Sequence, residues 1–324
     1  MDDRPGQAAL DALDAAIARA ERERKQAADF GASSYFPADW ESAEAAYKAI
    51  TVDRESPQGV EEAERRYNEA AGGYNEIFRR SIALYVAELE EELRKARSEA
   101  VAAGIAELSP EYLLTADQGA AGARELFEAE DYYGADKAAH EALDRYRSLA
   151  IGAEAYKIRE EVLRRDFAGF DADSFKRGDD ALLAAAAAYE GTAVKEALEG
   201  ASESRLRYGM ALRAGWAAYA AQLRALASRE RQNALNAKAN VAVKDDFINI
   251  ERVFNQAESA YRSETYEEAV NLYIRSEAGF VALTQAAEEK RRIAQAAIDA
   301  AEKKLEESDA AARTAEGILE GDNE

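Results

Sequence analysis

The clearest local pattern in the chain is Ala257-Glu-Ser-Ala-Tyr261-Arg-Ser-Glu-Thr-Tyr266-Glu-Glu-Ala269-Val-Asn-Leu-Tyr273. Its centre, Arg262 to Thr265, is short and polar, and on both sides Ala and Tyr recur at helical spacing. Ala has the highest helix propensity, and its small side chain lets two helix backbones approach closely. The stretch therefore predicts two helices joined by a tight turn.

The marks of this hairpin recur four times along the chain. A ring opens each repeat, and the spacings of 72, 63 and 72 residues separate Trp40, Tyr112, Phe175 and Phe247. Nineteen or twenty residues later comes a second mark, at Val60, Tyr132, Val194 and Tyr266. Three residues further is always Ala (Ala63, Ala135, Ala197, Ala269), and eleven residues beyond it is always a ring (Tyr74, Tyr146, Tyr208, Phe280). Marks that keep mutual register in this way are the signature of a repeat architecture.

The composition agrees with helices throughout. Of the 324 residues 48% are hydrophobic, and none of the four prolines follows Pro110. Pro is the strongest helix breaker, and strand-like alternation of polar and apolar residues is absent. We predict an all-α helical-repeat array of short-helix/long-helix hairpins, either a solenoid or an elongated bundle. One domain would span 1–324, with an N-terminal helix in 1–34 and repeats at 35–108, 109–170, 171–242 and 243–324.

The second helix of each repeat is either one long helix or two shorter ones. Glycines at Gly72-Gly73, Gly152 and Gly215 mark where a break or a bend would fall, because Gly costs roughly 1 kcal/mol against Ala inside a helix. The matching segments Gly152-Ala-Glu-Ala-Tyr156 and Gly215-Trp-Ala-Ala-Tyr219 favour a bend or a close helix contact at both places. Long, bent helices are the preferred prediction.

The hairpin at residues 257–273 resembles the tetratricopeptide motif, and the second repeat gives Ala123, Phe127, Tyr132 and Ala135 in the same frame. In that family small residues lie where the paired helices touch, and rings pack across the turn. The register of four repeats, together with the lack of catalytic motifs described below, predicts a non-enzymatic protein-interaction or assembly scaffold built from such repeats. The period of 62 to 72 residues is about twice the 34 residues of that family's unit.

The last predicted helix carries a heptad pattern. Every seventh residue is apolar or small at Ile298, Leu305, Ala312 and Leu319, with Ala301, Ser308 and Ala315 between them. Such a seam is typical of a coiled coil. Either this helix packs back on its own array, or it joins two copies of the chain into a homo-oligomer.

The net charge of −22 argues against two classes of partner, because it repels nucleic-acid phosphates and anionic lipids. The longest apolar run, Ala181 to Tyr189, is too short to span a membrane. The absence of Cys excludes disulfides and thiolate chemistry. We expect a protein partner, no nucleic acid and no direct membrane insertion.

The location follows from a second resemblance. The Ala- and Tyr-rich helices, with the stretch from Lys238 to Phe247 and then Asn255-Gln256-Ala257, resemble helical envelope proteins of spirochaetes. This resemblance implies the bacterial periplasm or cell envelope. The start, Met1-Asp2-Asp3-Arg4-Pro5, is not a signal peptide. A short polar start is also what remains when an export signal has been removed.

Catalytic and cofactor chemistry has few candidates. His140 is the only histidine, whereas a helix-bundle di-iron site needs two Glu-x-x-His elements. No Gly-rich phosphate loop occurs. The tripeptide Arg177-Gly178-Asp179 spells an adhesion motif but lies inside a predicted helix, so we interpret it as a chance match. We predict that the protein is not an enzyme and has no catalytic, cofactor-binding or metal-binding residues and no cofactor.

The candidate interaction surface consists of Tyr133 and Trp216. Each lies beside a residue at a repeat position and so points elsewhere, and large rings suit an interface. The excess of Tyr also supports a second hypothesis, a transporter-associated solute-binding protein with a ligand groove between repeats. A cavity lined by Tyr and Arg would favour that hypothesis. A third hypothesis is a structural spacer rod, which a compact particle in small-angle scattering would exclude.

Overall fold

A computed structural model of the chain describes residues 4–191 and 193–321, with side chains described through residue 316. These residues form twelve α-helices, one 3-10 turn (Ala168–Asp171, between α7 and α8) and no strand, which confirms the all-α prediction. The helices are α1 (Gln7–Asp29), α2 (Ala32–Tyr35), α3 (Pro37–Lys48), α4 (Pro57–Ala102), α5 (Ile105–Leu108), α6 (Pro110–Glu128), α7 (Tyr132–Arg164), α8 (Ala172–Glu190), α9 (Val194–Asn236), α10 (Ala239–Ala242), α11 (Lys244–Arg262) and α12 (Tyr266–Gly321). Within the described part, no helix is both long and apolar enough to cross a membrane.

Four pairs of helices are the predicted short-helix/long-helix hairpins: α3 with α4, α6 with α7, α8 with α9, and α11 with α12. The Ala marks and the closing rings on the long helices are all buried, as Ala63 and Tyr74 illustrate on α4. The marks at the helix starts are buried at Val60 and Val194 and half-buried at Tyr132 and Tyr266. The long helices run without interruption through Gly72-Gly73, Gly152 and Gly215. Each period therefore holds one long helix rather than two short ones.

The same sharp connection precedes every hairpin. The preceding helix is followed by a residue in the left-handed region, with φ of 79°, 96°, 58° and 61° at Gly31, Gly104, Asp166 and Lys238 respectively. One helical turn follows (α2, α5, the 3-10 turn or α10), and only then does the short helix begin. Pro37 and Pro110 occupy the first turn of their helices, where the missing N–H costs no helix bond. The sequence analysis did not predict these one-turn helices.

The described residues fall into two compact units, which we call the first half (4–153 with 193–198) and the second half (154–191 with 199–321). Hairpins 1 and 2 supply the first half, and hairpins 3 and 4 supply most of the second. Equivalent positions lie 134 or 135 residues apart, as with Tyr74 and Tyr208. The first half has a core around Phe30 and Phe78, and the second half has one around Phe280.

One predicted repeat mark is out of register. The sequence analysis placed Tyr112 at the opening ring of the second repeat, but Leu113 is the residue that is buried there. Leu113 precedes the carboxylate Asp117 by four residues, as Trp40 precedes Glu44 in the first repeat. The opening mark of this repeat is therefore an aliphatic side chain one residue later.

The C-terminal part of α12 leaves the core. Ala287 is the last buried residue of this helix, and every side chain from 291 through 316 is exposed. Of the two alternatives for this helix, packing back on its own array is therefore wrong for residues 291–316. Leu319, the last member of the predicted seam, lies outside the side chains that the structure describes.

Candidate interaction surface

The most regular polar feature of the fold is a clamp of an arginine, a carboxylate and a tyrosine from three consecutive long and short helices. In the third repeat, Arg159 Nε donates to Asp179 Oδ1 at 2.7 Å, and the Tyr208 hydroxyl donates to the same oxygen at 2.6 Å. Hydrogen bonds to an ionised acceptor are stronger than neutral ones. The clamp thus joins the end of α7 to α8 and to the middle of α9.

The first two repeats have the same clamp, and the fourth has a variant of it. Arginine and carboxylate are always 20 residues apart, and the tyrosine follows the carboxylate by 29 or 30 residues. The three full clamps are Arg24–Glu44–Tyr74, Arg97–Asp117–Tyr146 and Arg159–Asp179–Tyr208. In the fourth repeat Arg231 binds Glu251 while Phe280 takes the tyrosine's position, and a further clamp joins Arg224, Glu258 and Tyr273.

These contacts keep the carboxylates ionised. The hydrogen bond from Arg24 is the main reason why the pKa of Glu44 falls to about 2, against the opposing effect of burial. Burial would raise the pKa of Asp179, but the hydrogen bonds from Tyr208 and Arg159 outweigh it and lower that pKa. Burial, followed by the hydrogen bond to Asp179, raises the pKa of Tyr208. The hydroxyl therefore keeps its proton at neutral pH and serves as a donor that fixes neighbouring helices.

The adhesion-like tripeptide is part of this framework. Asp179 belongs to the third clamp, and Gly178 is buried on α8 against the ring of Tyr208. These contacts agree with the interpretation of Arg177-Gly178-Asp179 as a chance match.

Tyr133, the first candidate surface residue, lies near the start of α7 and is 49% exposed. Its hydroxyl donates to Asp29 Oδ2 at 2.7 Å, and the centroids of the Tyr133 and Phe30 rings lie 5.2 Å apart in an edge-to-face arrangement. Lys25 Nζ lies 5.4 Å from the same ring centroid. Tyr133 therefore fastens the turn of the second hairpin to the end of α1 while about half of its surface stays open.

Trp216, the second candidate, is half-buried on α9 in the other half of the molecule. The guanidinium carbon of Arg165 lies 4.1 Å from the indole centroid, a cation–π arrangement. The ring of Phe167 meets the indole edge-on at a centroid distance of 5.5 Å. Tyr133 and Trp216 therefore have different neighbours, each within its own half.

Trp216 lines an open cleft of about 730 Å³ between α9 and the start of α12. Leu212 and Tyr266 contribute apolar surface to the lining. Glu264, in the turn before α12, pairs with Arg213 of α9. The exposed Glu267 and Glu268 lie in the first turn of α12. The cleft thus combines an aromatic surface with an acidic border.

A second cleft, of about 320 Å³, lies in the first half beside the Arg97 clamp. Side chains of both predicted kinds line it, including Arg94, Arg97, Arg124 and Tyr146. Arg97 binds Asp117 in two places, at 2.8 and 2.9 Å, and Arg124 binds Glu90 at 2.9 Å. The positive charges of this cleft are therefore largely balanced by its own carboxylates.

His140 lies exposed on α7, and its Nδ1 atom is 2.9 Å from the carbonyl oxygen of Asp136. Across 4–191 and 193–321, no group of three or more His, Asp or Glu side chains is placed to hold a metal ion.

Comparison with known proteins gives one informative similarity. A curated protein from Treponema phagedenis, called Treponemal membrane protein A, is 24% identical over 220 residues, which cover 68% of this chain and 64% of that protein. The chain thus spans less than two thirds of the length of this relative. No protein-family model matches the chain, and no solved structure matches it either. The chain is thus an all-α repeat protein with distant similarity to a spirochaetal membrane protein.

Proposed function

We propose that this protein is a non-enzymatic interaction module of the bacterial cell envelope, built from tetratricopeptide-like helical hairpins, that binds another protein. The observation that carries the proposal is the Trp216 cleft, where a half-buried indole lies beside an acidic border on a rigid helical framework. Rings are frequent energetic centres of protein interfaces. The envelope location rests on the name of the treponemal relative.

A comparison of the two halves supports this choice of cleft. In the first half, Phe30 and Tyr133 close on each other at a centroid distance of 5.2 Å and fasten the turn of the second hairpin. The equivalent positions in the second half are Arg165 and Glu267, two charged side chains. The second half therefore lacks this ring pair and has the cleft at the corresponding turn.

The acidic border and the net charge of −22 point to a basic partner. Complementary charge speeds association and suppresses unsuitable partners. We therefore expect a protein segment that carries Lys or Arg beside an apolar side chain.

Affinity capture from envelope extracts tests the proposal with three forms of the full chain. Wild type is compared with Glu267→Lys, which reverses an exposed border charge without touching the core, and with Leu183→Ser on α8, where the side chain is 72% exposed. We expect wild type and Leu183→Ser to retain the same protein and Glu267→Lys to lose it. Equal retention by all three forms would refute the cleft as the binding site.

A second candidate function is solute binding, because the cleft of about 320 Å³ beside Arg97 is lined by Arg and Tyr. Native mass spectrometry of the purified full chain tests it directly. A small molecule that stays bound to wild type, and that is lost when Leu93→Trp fills the cleft, would support this function over the first. If wild type and Leu93→Trp both show only the mass of the protein chain, solute binding is excluded.

A further inference from the structure

The exposed part of α12 is unusual because a helix is normally stabilised by packing an apolar face. Residues 291–316, which we call the C-terminal extension, continue α12 beyond its last buried residue. At 1.5 Å per residue the extension is about 39 Å long. In proteins most helical stability comes from packing an apolar face, so an unpacked helix of this length calls for a partner surface.

The apolar side chains of the extension form one seam. Ile298 and Leu305 are 50% and 66% exposed and lie seven residues apart. In heptad terms they are a positions together with Ala312, and the d positions between and beside them are Ala294, Ala301, Ser308 and Ala315. A seam of a and d positions of this kind fits the same seam on another helix.

We propose that the C-terminal extension pairs with the extension of a second copy of this chain as a parallel two-stranded coiled coil. Charges beside the seam select the partner and its direction. The g position Lys304 meets the e position Asp309 of the other copy in a parallel pair, and the contact occurs twice by symmetry. In an antiparallel pair e positions face each other, which would bring Glu302, Asp309 and Glu316 against carboxylates.

Net charge also favours self-pairing at this place. The whole chain carries −22, which repels a second copy, but residues 291–316 hold six acidic and five basic side chains. Two extensions can therefore approach with little long-range repulsion.

The oligomeric state of the full chain tests the proposal. Sedimentation equilibrium should give twice the chain mass of 35.4 kDa, with dissociation on dilution. Ile298→Gln with Leu305→Gln should give a single chain, because both substitutions remove the seam but touch no core residue. Ile293→Gln is the matched control, since Ile293 is 56% exposed but lies at a c position, and it should remain a dimer. Single-chain mass for wild type would overturn the proposal, and so would dimers of the seam variant.

A charge swap tests the pairing partner. Lys304→Glu puts like charges against Asp309 of the other copy, and we expect the dissociation constant to rise about tenfold. Adding Asp309→Lys restores opposite charges and should restore the affinity. A double variant as weak as Lys304→Glu alone would exclude the parallel register.

A single introduced cysteine tests whether the two extensions are parallel, because the chain has no other cysteine. Two copies of Ala294→Cys, at a d position, lie side by side in a parallel in-register pair and should form a disulfide-linked dimer on oxidation. In a centred antiparallel pair they would lie at opposite ends of the extension. Failure to cross-link in a protein that is a dimer by mass would rule out the parallel arrangement.

Discussion

Gly178 offers the sharpest test of the packing between a short and a long helix. A Cβ atom added to Gly178 on α8 would lie 2.6 Å from Cε1 and 2.7 Å from Cδ1 of Tyr208 on α9. That ring is fully buried, and its hydroxyl is tied to Asp179 at 2.6 Å, so it has little freedom to move away. Gly178→Ala should therefore overpack the contact.

The expected magnitude follows from two opposing effects. Replacing Gly by Ala inside a helix stabilises it by about 1 kcal/mol, whereas overpacking a core costs about 1–3 kcal/mol. Gly178→Ala should thus leave the free energy of unfolding unchanged or lower it by up to about 2 kcal/mol.

Gly209 supplies the matched control on the neighbouring helix. It is half-buried within α9, directly after Tyr208, and an added Cβ would meet no atom within 4 Å. Gly209→Ala should therefore stabilise by about 1 kcal/mol through helix propensity alone. Subtracting the control isolates the overpacking cost, about 1–3 kcal/mol.

Urea unfolding followed by far-UV circular dichroism measures the stability of both variants. Their free energies of unfolding are compared with the same dependence on urea concentration (the m value) for each. If Gly178→Ala stabilises as much as Gly209→Ala, then Tyr208 does not lie against α8. The clamp geometry of the third repeat would then be incorrect.

Three further predictions concern one clamp carboxylate and two other packed positions. The folded-state pKa of Glu44 is about 2, below its ordinary 4.5. The ionised carboxylate therefore stabilises the folded protein fully above pH 4.5, and this stabilisation is lost as the pH falls towards 2. The urea midpoints at pH 7 and pH 3 should therefore differ less in Glu44→Gln than in wild type. Gly215→Ala should lower the free energy of unfolding more than Gly178→Ala, because its Cβ would overlap both the Cβ atom and the ring of Phe167. Ala269→Trp should lower the thermal midpoint, since Ala269 is fully buried in the fourth hairpin, and an unchanged midpoint would contradict its repeat position.

The repeat marks were predictable because they follow helical periodicity on one chain segment. Ala135 and Tyr146 lie eleven residues apart on one helix, and both positions are buried in every repeat, the first always as Ala and the second always as a ring. The second repeat drifted by one residue because its opening position is Leu113 rather than a ring. An aliphatic residue at that position gives no compositional signal against the neighbouring Tyr112.

The clamps were missed for a different reason. Their arginine and carboxylate lie on different helices, and 64 acidic residues in the chain make any single carboxylate uninformative. The signal was present in the constant spacing of 20 residues, as between Arg97 and Asp117. Only a comparison of charged positions across repeats, aligned on the buried rings, would have found it.

The conformation of the connections before each hairpin could not be predicted from the sequence either. Two of them use Gly in the left-handed region, which a sequence can indicate, but Asp166 and Lys238 occupy the same region at φ of 58° and 61°. Asp is enriched in this region but Lys is not, so residue type gives no consistent signal across the four connections. The one-turn helices that follow are too short to give a periodic signal.

The two halves share an ion pair whose polarity is reversed between them. Glu90 with Arg124 in the first half and Arg224 with Glu258 in the second are equivalent pairs with opposite polarity, both 34 residues apart. Because the ion pair is present in both halves although its charges are exchanged, its role is to hold the two helices together rather than to place a given charge at a given position.

The turn contacts follow another rule. Phe30 and Tyr133 form a closed ring pair in the first half, whereas Arg165 and Glu267 replace them in the second, beside the Trp216 cleft. This replacement keeps the hairpins in place while it exchanges internal apolar contact for charged surface. The second half therefore combines the framework of the first with an open cleft at the turn of its last hairpin, and this difference supports the proposal of partner binding at Trp216.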